Sequence, residues 1–218
     1  TGFGMLRSSI DNSSNFIEIY PNGPLRNNIF SVEAGFSNVW ATYGAYSLTY
    51  FPNNNRYGVS HLQDEWKNIS YDSLQFPAFS LNYISINPFK PKQVFISSFQ
   101  HGLLEIDDDE PTNLYNNLNS GLESLVIPGN PNVVSIRVTG STFDREGLLW
   151  TMTARVGKPL KSYNPNSGQW VGYDFTEILP DPLNDEFGYS DVVIDANNTK
   201  WIGGYNFGLI GFNENGGN

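Results

Sequence analysis

The chain has 218 residues, no cysteine, and a formal net charge of −10 with a pI near 4.5. The lack of cysteine excludes disulfides, thiolate metal sites and cysteine nucleophiles. The acidic balance argues against a nucleic-acid partner, which would need a basic surface to neutralise phosphates. No apolar run approaches the roughly 18 residues that a membrane-spanning helix needs, so no membrane span is predicted.

The predicted elements are all β-strands, and they recur in one order along the chain. An alternating apolar strand is followed by a turn, by a strand that carries a large aromatic residue, and by a third strand that begins near a Gly-Leu pair. In chain order the aromatic residues are Trp40, Phe95, Trp150 and Trp201, spaced by 55, 55 and 51 residues. Gly102, Gly157 and Gly208 each follow their own aromatic residue by seven positions. A period near 50 in an all-strand pattern predicts stacked β-blades.

A further turn in each unit leads to a fourth strand, marked by Trp66 in the first unit, Leu114-Tyr115 in the second and Trp170 in the third. The sequence therefore predicts an all-β fold with β-propeller blades of four antiparallel strands, about four blade equivalents in one domain. The predicted boundaries are a half blade at about 1–25, blades at about 26–79, 80–132 and 133–187, and an incomplete blade at 188–218.

The first and last predicted strands are of the same kind. Phe3-Gly4-Met5-Leu6 matches Phe207-Gly208-Leu209-Ile210, which makes both of them third strands. A closed ring needs one end to supply the strands that the other lacks. We therefore expect an arc of a larger propeller that is completed by remaining blades or by a second chain. Exposed aromatic surface and free strand edges at the ends of such an arc predict self-association or dependence on a partner.

The repeated residues have a structural interpretation. Large flat side chains fill the wedge between blades, so Trp40, Phe95, Trp150 and Trp201 are expected to be packed there. Gly102, Gly157 and Gly208 are expected to provide backbone freedom at the entry to the third strand.

The loops between second and third strands open on one rim of a propeller, and function in repeat folds collects on such loops. The residues that these loops contribute are Tyr43, Phe99, His101, Arg155, Tyr205 and Asn206. Aromatic faces stack on sugar rings, and the Arg155 guanidinium can pair with a phosphate or carboxylate through two hydrogen bonds. We therefore predict a ligand-binding rim for an acidic glycan, with ordinary exposed loop chemistry as the alternative for each residue.

The sequence offers little for metal binding or catalysis. The acidic run at 107–110 lacks the ligand spacing and glycine of an EF-hand, so a solvated hairpin tip is preferred. The two histidines, His61 and His101, lack zinc-site spacing. We expect no metal, no cofactor and no enzymatic activity. A propeller glycoside hydrolase or lyase is the alternative, with a pair of carboxylates drawn from Glu33, Asp144, Asp174, Glu177, Asp191 and Asp195.

Two segments carry a resemblance to a known repeat. Residues 191–204, followed by Phe207-Gly208-Leu209, resemble the two-component-regulator propeller repeat of Bacteroidota surface and sensor proteins. Residues 144–151, Asp-Arg-Glu-Gly-Leu-Leu-Trp-Thr, are the second match, whereas Phe95 replaces Trp in another unit and Ser47 replaces Gly in the first. Within that group the chain most resembles the PorZ family of the type IX secretion system.

This resemblance implies a non-catalytic binding and scaffolding propeller of a surface secretion and attachment complex. It implies a place in the periplasm or on the cell surface, associated with the outer membrane. The partners it implies are secretion or attachment proteins and anionic lipopolysaccharide. The same repeats occur in the periplasmic sensor region of hybrid two-component systems, which implies a glycan-sensing propeller as the alternative.

Overall fold

The secondary structure is almost entirely β-strand. The computed structural model describes residues 5–44, 46–179, 181, 183 and 188–216. Within them lie 17 β-strands and a single 3-10 turn at Asp72–Leu74. The all-β prediction is confirmed, and no helix in these ranges is long and apolar enough to cross a membrane. Phe3, Gly4 and most of 180–187, which the sequence assigned to predicted units, lie outside the described residues.

The strands form five antiparallel sheets in chain order. The first is a hairpin of β1 (Met5–Ser9) and β2 (Asn12–Ile19). Blade 1 contains β3 (Ser31–Gly35), β4 (Asn38–Thr42), β5 (Val59–Leu62) and β6 (Trp66–Ile69). Blade 2 contains β7 (Leu81–Ile86), β8 (Gln93–Ser98), β9 (Gly102–Asp107) and β10 (Glu110–Tyr115). Blade 3 contains β11 (Val138–Phe143), β12 (Leu149–Thr153), β13 (Leu160–Asn164) and β14 (Gln169–Tyr173). Blade 4 has three strands, β15 (Tyr189–Ile194), β16 (Lys200–Gly204) and β17 (Gly208–Phe212).

Each blade is a meander in which neighbours in sequence are neighbours in the sheet, and the blades are those of a β-propeller. The first strands β3, β7, β11 and β15 lie side by side around the axis. Alternate residues of a strand point to opposite faces. In β8, Phe95 faces the cluster shared with blade 3, and its neighbours Val94 and Ile96 face the cluster shared with blade 1. Apolar side chains on both faces of a central strand therefore follow from the stacking of blades.

The aromatic residues of the second strands do not share one environment. Trp40 is buried in the cluster between blades 1 and 2, Phe95 between blades 2 and 3, and Trp150 between blades 3 and 4. Trp201 is 37% exposed, which corrects the expectation that all four are packed between blades. Its ring lies on the face of blade 4 that points away from blade 3, and no sheet of described residues covers that face.

A carboxylate six positions before the tryptophan organises the turn between the first two strands. Asp144 Oδ1 accepts hydrogen bonds from the backbone N–H groups of Glu146 and Leu148, and Asp144 Oδ2 accepts the indole N–H of Trp150 at 2.7 Å. Asp195 makes the equivalent bond to Trp201 at 2.9 Å. The Asp144 carboxylate thus accepts hydrogen bonds from the backbone N–H groups of the turn and from the buried indole N–H. A buried donor without an acceptor would be costly.

Only two of the three predicted glycines need to be glycine. Gly102 has a φ of +104°, and a Cβ there would lie 2.1 Å from the Tyr115 carbonyl oxygen. Gly208 has a φ of +87°. Gly157 has no positive φ, and its Cβ would meet only Glu123 Oε1 at 3.5 Å, an ordinary contact. The prediction was wrong for Gly157 because the connection from β12 to β13 is longer and has room for a side chain.

The acidic hairpin tip between β9 and β10 forms part of the contact between blades 1 and 2. Asp109 Oδ1 lies 2.5 Å from His61 Nδ1, and Asp109 Oδ2 accepts a hydrogen bond from Lys67 Nζ at 2.6 Å. Burial raises the pKa of Asp109, but the bonds from Lys67 and His61 outweigh it and leave that pKa below its usual range. The tip is therefore partly a clamp between blades, which corrects the interpretation of a purely solvated loop.

The blades form an arc in the described part of the chain. Hydrophobic clusters of the described residues join blade 1 to 2, 2 to 3 and 3 to 4, and none of these clusters joins blade 4 to blade 1. Val32 in β3 and Val193 in β15 are correspondingly more than half exposed. Apolar side chains on both end faces fit the expected need for further blades or a partner chain.

The two tryptophans of the repeat provide a matched test of burial. Trp150→Ala is expected to lower the free energy of unfolding by about 3–5 kcal/mol. The change leaves a cavity between blades 3 and 4 and removes the indole N–H that the Asp144 carboxylate accepts. Trp201→Ala is expected to cost about 1 kcal/mol, since water already reaches that ring. Chemical denaturation of both variants measures the difference. Equal losses would show that Trp201 is covered in solution.

Candidate functional site

A channel runs along the axis between the four first strands. It encloses 460 Å³ and is lined by one strand from every blade. Its polar lining comes from Ser31 and Glu33 of blade 1, Ser85 of blade 2, Ser141 of blade 3 and Asp191 of blade 4. Ser85 Oγ donates to the Ser141 carbonyl oxygen at 2.7 Å, so the two serines bind each other across blades 2 and 3. The two carboxylates are the charged groups in this lining.

Residues 46–52, which we call the cap, lie beside Tyr83 of the channel lining. The cap belongs to the long connection 43–58 between β4 and β5, whereas the equivalent connections are only 99–101 and 205–207 in blades 2 and 4. Tyr46 pairs with Pro52 in an isolated bridge, and the Ser47 N–H donates to the Phe51 carbonyl oxygen at 2.8 Å. Ser47 Oγ also accepts the N–H groups of Thr49 and Phe51. These bonds give the cap its own folded shape.

The cap contacts every other blade. The Tyr46 ring lies 4.3 Å from Phe99 of blade 2, and the Tyr50 ring lies 5.3 Å from Tyr205 of blade 4. Arg137, just before β11 of blade 3, donates from Nη1 to the Tyr50 carbonyl oxygen at 3.0 Å. Its guanidinium lies 5.7 Å from the ring centre of Phe51 and 5.8 Å from that of Phe99, within cation–π range. The loops at this end are therefore joined into one aromatic surface.

The buried side of the cap is a tyrosine cluster. Phe30 makes edge contacts with Tyr46 and Tyr83 at 5.8 and 5.7 Å. Burial raises the pKa of Tyr46, with further increases from Tyr83, Tyr50 and the carboxylate of Asp191. Burial also raises the pKa of Tyr50, so the neutral phenol is favoured at both Tyr46 and Tyr50. On the outer side of the cap, Leu48, Phe51 and Tyr205 are exposed.

The structure brings only part of the predicted rim together. Phe99, Arg155 and Tyr205 surround the cap, and Arg155 lines a small 50 Å³ cavity with Phe51 and Arg137. Arg155 has a φ of +61°, a backbone conformation that is uncommon for residues other than glycine and that fixes its direction in the loop. Asn206 is exposed beside Tyr205.

Three of the six residues have other roles. Tyr43 is buried and its hydroxyl contacts Ser60 Oγ at 2.5 Å, so it presents no surface to a ligand. Phe99 is fully buried beneath the cap. His101 is half-buried; it accepts the Phe79 N–H at Nδ1, and burial lowers its pKa. The expectation that all six face a ligand is corrected, because the cap covers the loops that the repeat alone would leave open.

Sequence reasoning missed the residues that build the cap, namely Tyr46, Tyr50, Phe51 and Arg137. A signal was present, since Tyr43, Tyr46, Tyr50 and Phe51 fall within nine positions of the longest connection between a second and a third strand. A dense aromatic run in a long loop is typical of a segment that packs on the body of the protein. The arginine could not be found in that way, because it belongs to another blade.

The carboxylates considered for catalysis lie in different environments in the fold. Asp144 and Asp195 are bound to indole N–H groups and turn amides. Glu33 and Asp191 both line the channel. Burial raises the pKa of Asp191 to about 6; the Val192 N–H bond opposes the rise and the charge of Glu33 adds to it. Burial also raises the pKa of Glu33. The channel therefore disfavours two negative charges at once.

Comparisons with solved structures support the fold. PorZ, described as an essential bacterial surface component of the type IX secretion system of Porphyromonas gingivalis, is similar with a TM-score of 0.71 and 19% identity, over 86% of this chain. The extracellular domain of a hybrid two-component system from B. thetaiotaomicron is similar with a TM-score of 0.53 and 14% identity, over 91% of this chain. YCF48, solved bound to a D1 peptide, is similar with a TM-score of 0.55 and 9% identity over 84% of this chain.

The chain spans about a quarter of the first two of these proteins, 24% and 23% of their lengths, and half of the third. Both kinds of relative expected from the repeat therefore occur among similar structures, and the propeller resemblance is confirmed. No family model matches the sequence, and no curated protein matches it.

The raised pKa of Asp191 predicts a pH-dependent stability. A carboxyl group whose pKa is higher in the folded than in the unfolded state stabilises the fold below about pH 4, and that contribution is lost as the pH rises through about 6. Asp191→Asn keeps an oxygen for the Val192 N–H and removes the charge. We expect the variant to exceed the wild type in unfolding free energy at pH 8 by up to about 3 kcal/mol, with the difference vanishing near pH 4.

Denaturation curves between pH 4 and pH 8 measure this effect. Asp64→Asn, in an exposed turn, changes the net charge equally and controls for long-range charge effects. A constant difference between Asp191→Asn and wild type across the pH range would contradict the assignment.

Proposed function

We propose that this protein is a non-catalytic binding and scaffolding propeller of a bacterial surface secretion and attachment complex, of the kind found in type IX secretion. Its capped end contacts an anionic glycan such as lipopolysaccharide, or a partner protein. The proposal places it in the periplasm or on the cell surface, associated with the outer membrane. The remaining partners are further propeller blades or a second chain.

The observation that carries this proposal is the cap itself. It turns four separate loops into one continuous surface, with Phe51 and Tyr205 exposed and two arginines beneath them. Surfaces of this composition suit binding, because rings give large contact area and guanidinium groups recognise phosphate and carboxylate. A cap tied to all four blades also supplies a preorganised surface, which lowers the ordering cost of association.

The proposed contact residues are Tyr205 and Asn206, which are exposed, Phe51, which joins them from the cap, and Arg155, which is half-buried in the cavity beside Phe51. Tyr43 and Phe99 support the surface from below. Rings at Phe51 and Tyr205 would stack on sugar faces, and Arg155 would pair with an anionic substituent.

A sensor function is the second candidate. Its support is the similarity over 91% of this chain to the extracellular domain of a hybrid two-component system. In that case the same surface would bind a glycan whose occupancy changes signalling. The polypeptide encoded beyond these residues separates the two: a membrane helix and a histidine-kinase region would favour the sensor, and a surface-sorting domain would favour the secretion complex.

The binding proposal predicts the effect of changing Arg155. Arg155→Ala is expected to weaken binding of anionic lipopolysaccharide by roughly 2–5 kcal/mol, because a desolvated charge-assisted contact is lost. Arg155→Lys should also weaken it, since the planar two-pronged donor is lost. Added salt should reduce the charged part and leave stacking largely intact. Isothermal titration calorimetry on the intact protein measures all three.

Arg145→Ala is the matched control, because Arg145 is an exposed arginine of the same blade in the turn at its opposite end. The proposal requires that this variant bind like the wild type. Equal affinity of wild type and Arg155→Ala would remove Arg155 from the site, and no binding to any anionic glycan would remove this ligand class.

A further inference from the structure

A second arginine at the end of the propeller that carries the cap lies on an aromatic ring. Arg56 belongs to the connection 43–58 that also forms the cap, and its guanidinium lies 4.7 Å from the ring centre of Phe79, within cation–π range. Arg56 is exposed, and among the described residues it makes no ion pair and no side-chain hydrogen bond. The N–H groups of this stacked guanidinium are therefore available to an oxyanion.

Phe79 is a well-supported platform for this arginine. Its backbone N–H donates to Nδ1 of His101 at 3.4 Å, and its carbonyl oxygen accepts the hydroxyl of Ser98 at 2.5 Å. The His101 ring meets the Phe79 ring edge-on at 4.5 Å, and the Tyr71 ring centre lies 5.7 Å from that of Phe79. The platform is therefore ordered before any ligand binds, which lowers the ordering cost of a contact at Arg56.

The Phe79 platform adjoins the surface formed by the cap. Ser80 follows Phe79 in the chain, and its carbonyl oxygen accepts the Phe99 N–H at 3.1 Å. Phe99 lies beneath the cap and lines the same 50 Å³ cavity as Arg155. Arg56, on the blade 1 connection, and Arg155, on the equivalent connection of blade 3, therefore occupy two separate places along one end of the propeller.

We propose that Arg56 is a second anion-binding position of the capped end, and that this end binds an extended anionic polysaccharide through oxyanions on separate sugar residues. The inference rests on the proposed function, because Arg155 supplies the first position. The exposed rings of Phe51 and Tyr205 provide sugar-stacking faces on the same surface. A polysaccharide held at one arginine presents its next anion to the other at a high effective concentration, which a monosaccharide acid does not do.

The overall charge of the chain makes these two contacts decisive. The net charge is −10, so the long-range field repels a polyanion. Attraction must then come from a few guanidinium groups that meet oxyanions directly, with two parallel hydrogen bonds each. Removing one such group is expected to have a measurable effect on the binding of a long ligand.

Galacturonate oligomers test the inference, because each sugar residue carries one carboxylate and the length can be varied from the monomer upward. Above a threshold length the wild type is expected to bind oligomers about 10- to 100-fold more tightly than the monomer, the gain from one further charge-assisted contact. Arg56→Ala should remove this gain and leave monomer affinity unchanged, since Arg155 is intact. Isothermal titration calorimetry on the intact protein measures each affinity.

Three further variants identify the origin of the gain. Arg56→Lys keeps the charge but loses the planar donor, so most of the gain should disappear. Phe79→Leu keeps the arginine and removes the ring beneath it, so part of the gain should disappear. Arg145→Ala, an exposed arginine in a turn at the opposite end, is the matched control and should keep the full gain. Unfolding curves of each variant establish that the fold is retained.

The outcomes separate this inference from the proposed function. A gain with length that survives in Arg56→Ala would remove Arg56 from the site and overturn the inference, as would equal affinity of the wild type for monomer and oligomers. Absence of wild-type binding to every oligomer would also overturn it. In each case the lipopolysaccharide titration of Arg155→Ala still decides the proposed function, because it requires only the first anion-binding position.

Discussion

The fold depends on the burial of one large ring from the second strand of blades 1, 2 and 3 against the blade that follows. Trp150 shows what this requires, since its ring lies between blades 3 and 4 and its N–H must still find an acceptor. Asp144 provides that acceptor and closes the preceding turn with its other oxygen. Phe95 has no ring N–H, and blade 2 has Asn87 and a longer turn instead. Between blades 2 and 3 the turn, its polar side chain and the ring therefore differ together.

Much of the architecture could be predicted from the sequence, because strand alternation and the spacing of the aromatic residues are local properties repeated three or four times. What failed depended on neighbours in space. Trp201 has the full motif, including its aspartate, but no described sheet lies over it, so its environment differs from that of Trp150. Gly157 keeps its spacing from the aromatic residue, but the connection around it is wider than the turn at Gly102.

Less of the candidate site could be predicted from the sequence. Loop positions follow from the strand order, so Phe99, Arg155 and Tyr205 could be assigned to one end of the propeller. Their exposure could not, because it is decided by a segment of blade 1 that crosses over to them. The contact between Arg137 and Tyr50 could not be predicted, because the two residues lie 87 positions apart and no local sequence pattern around either of them indicates it.

The cap also changes how the blades share their stability. In a linear array each repeat contacts only its neighbours, and the terminal units open first and independently. Here a segment of the first blade touches the loops of the second, third and fourth, so opening blade 4 at this end requires loss of its contact with Tyr50. Because the cap connects blade 1 to blade 4, we expect these two blades to unfold together rather than one after the other. Amide protons of the capped ends of blades 1 and 4 would then exchange with solvent through the same opening event, although no sheet in the described part of the chain joins these two blades.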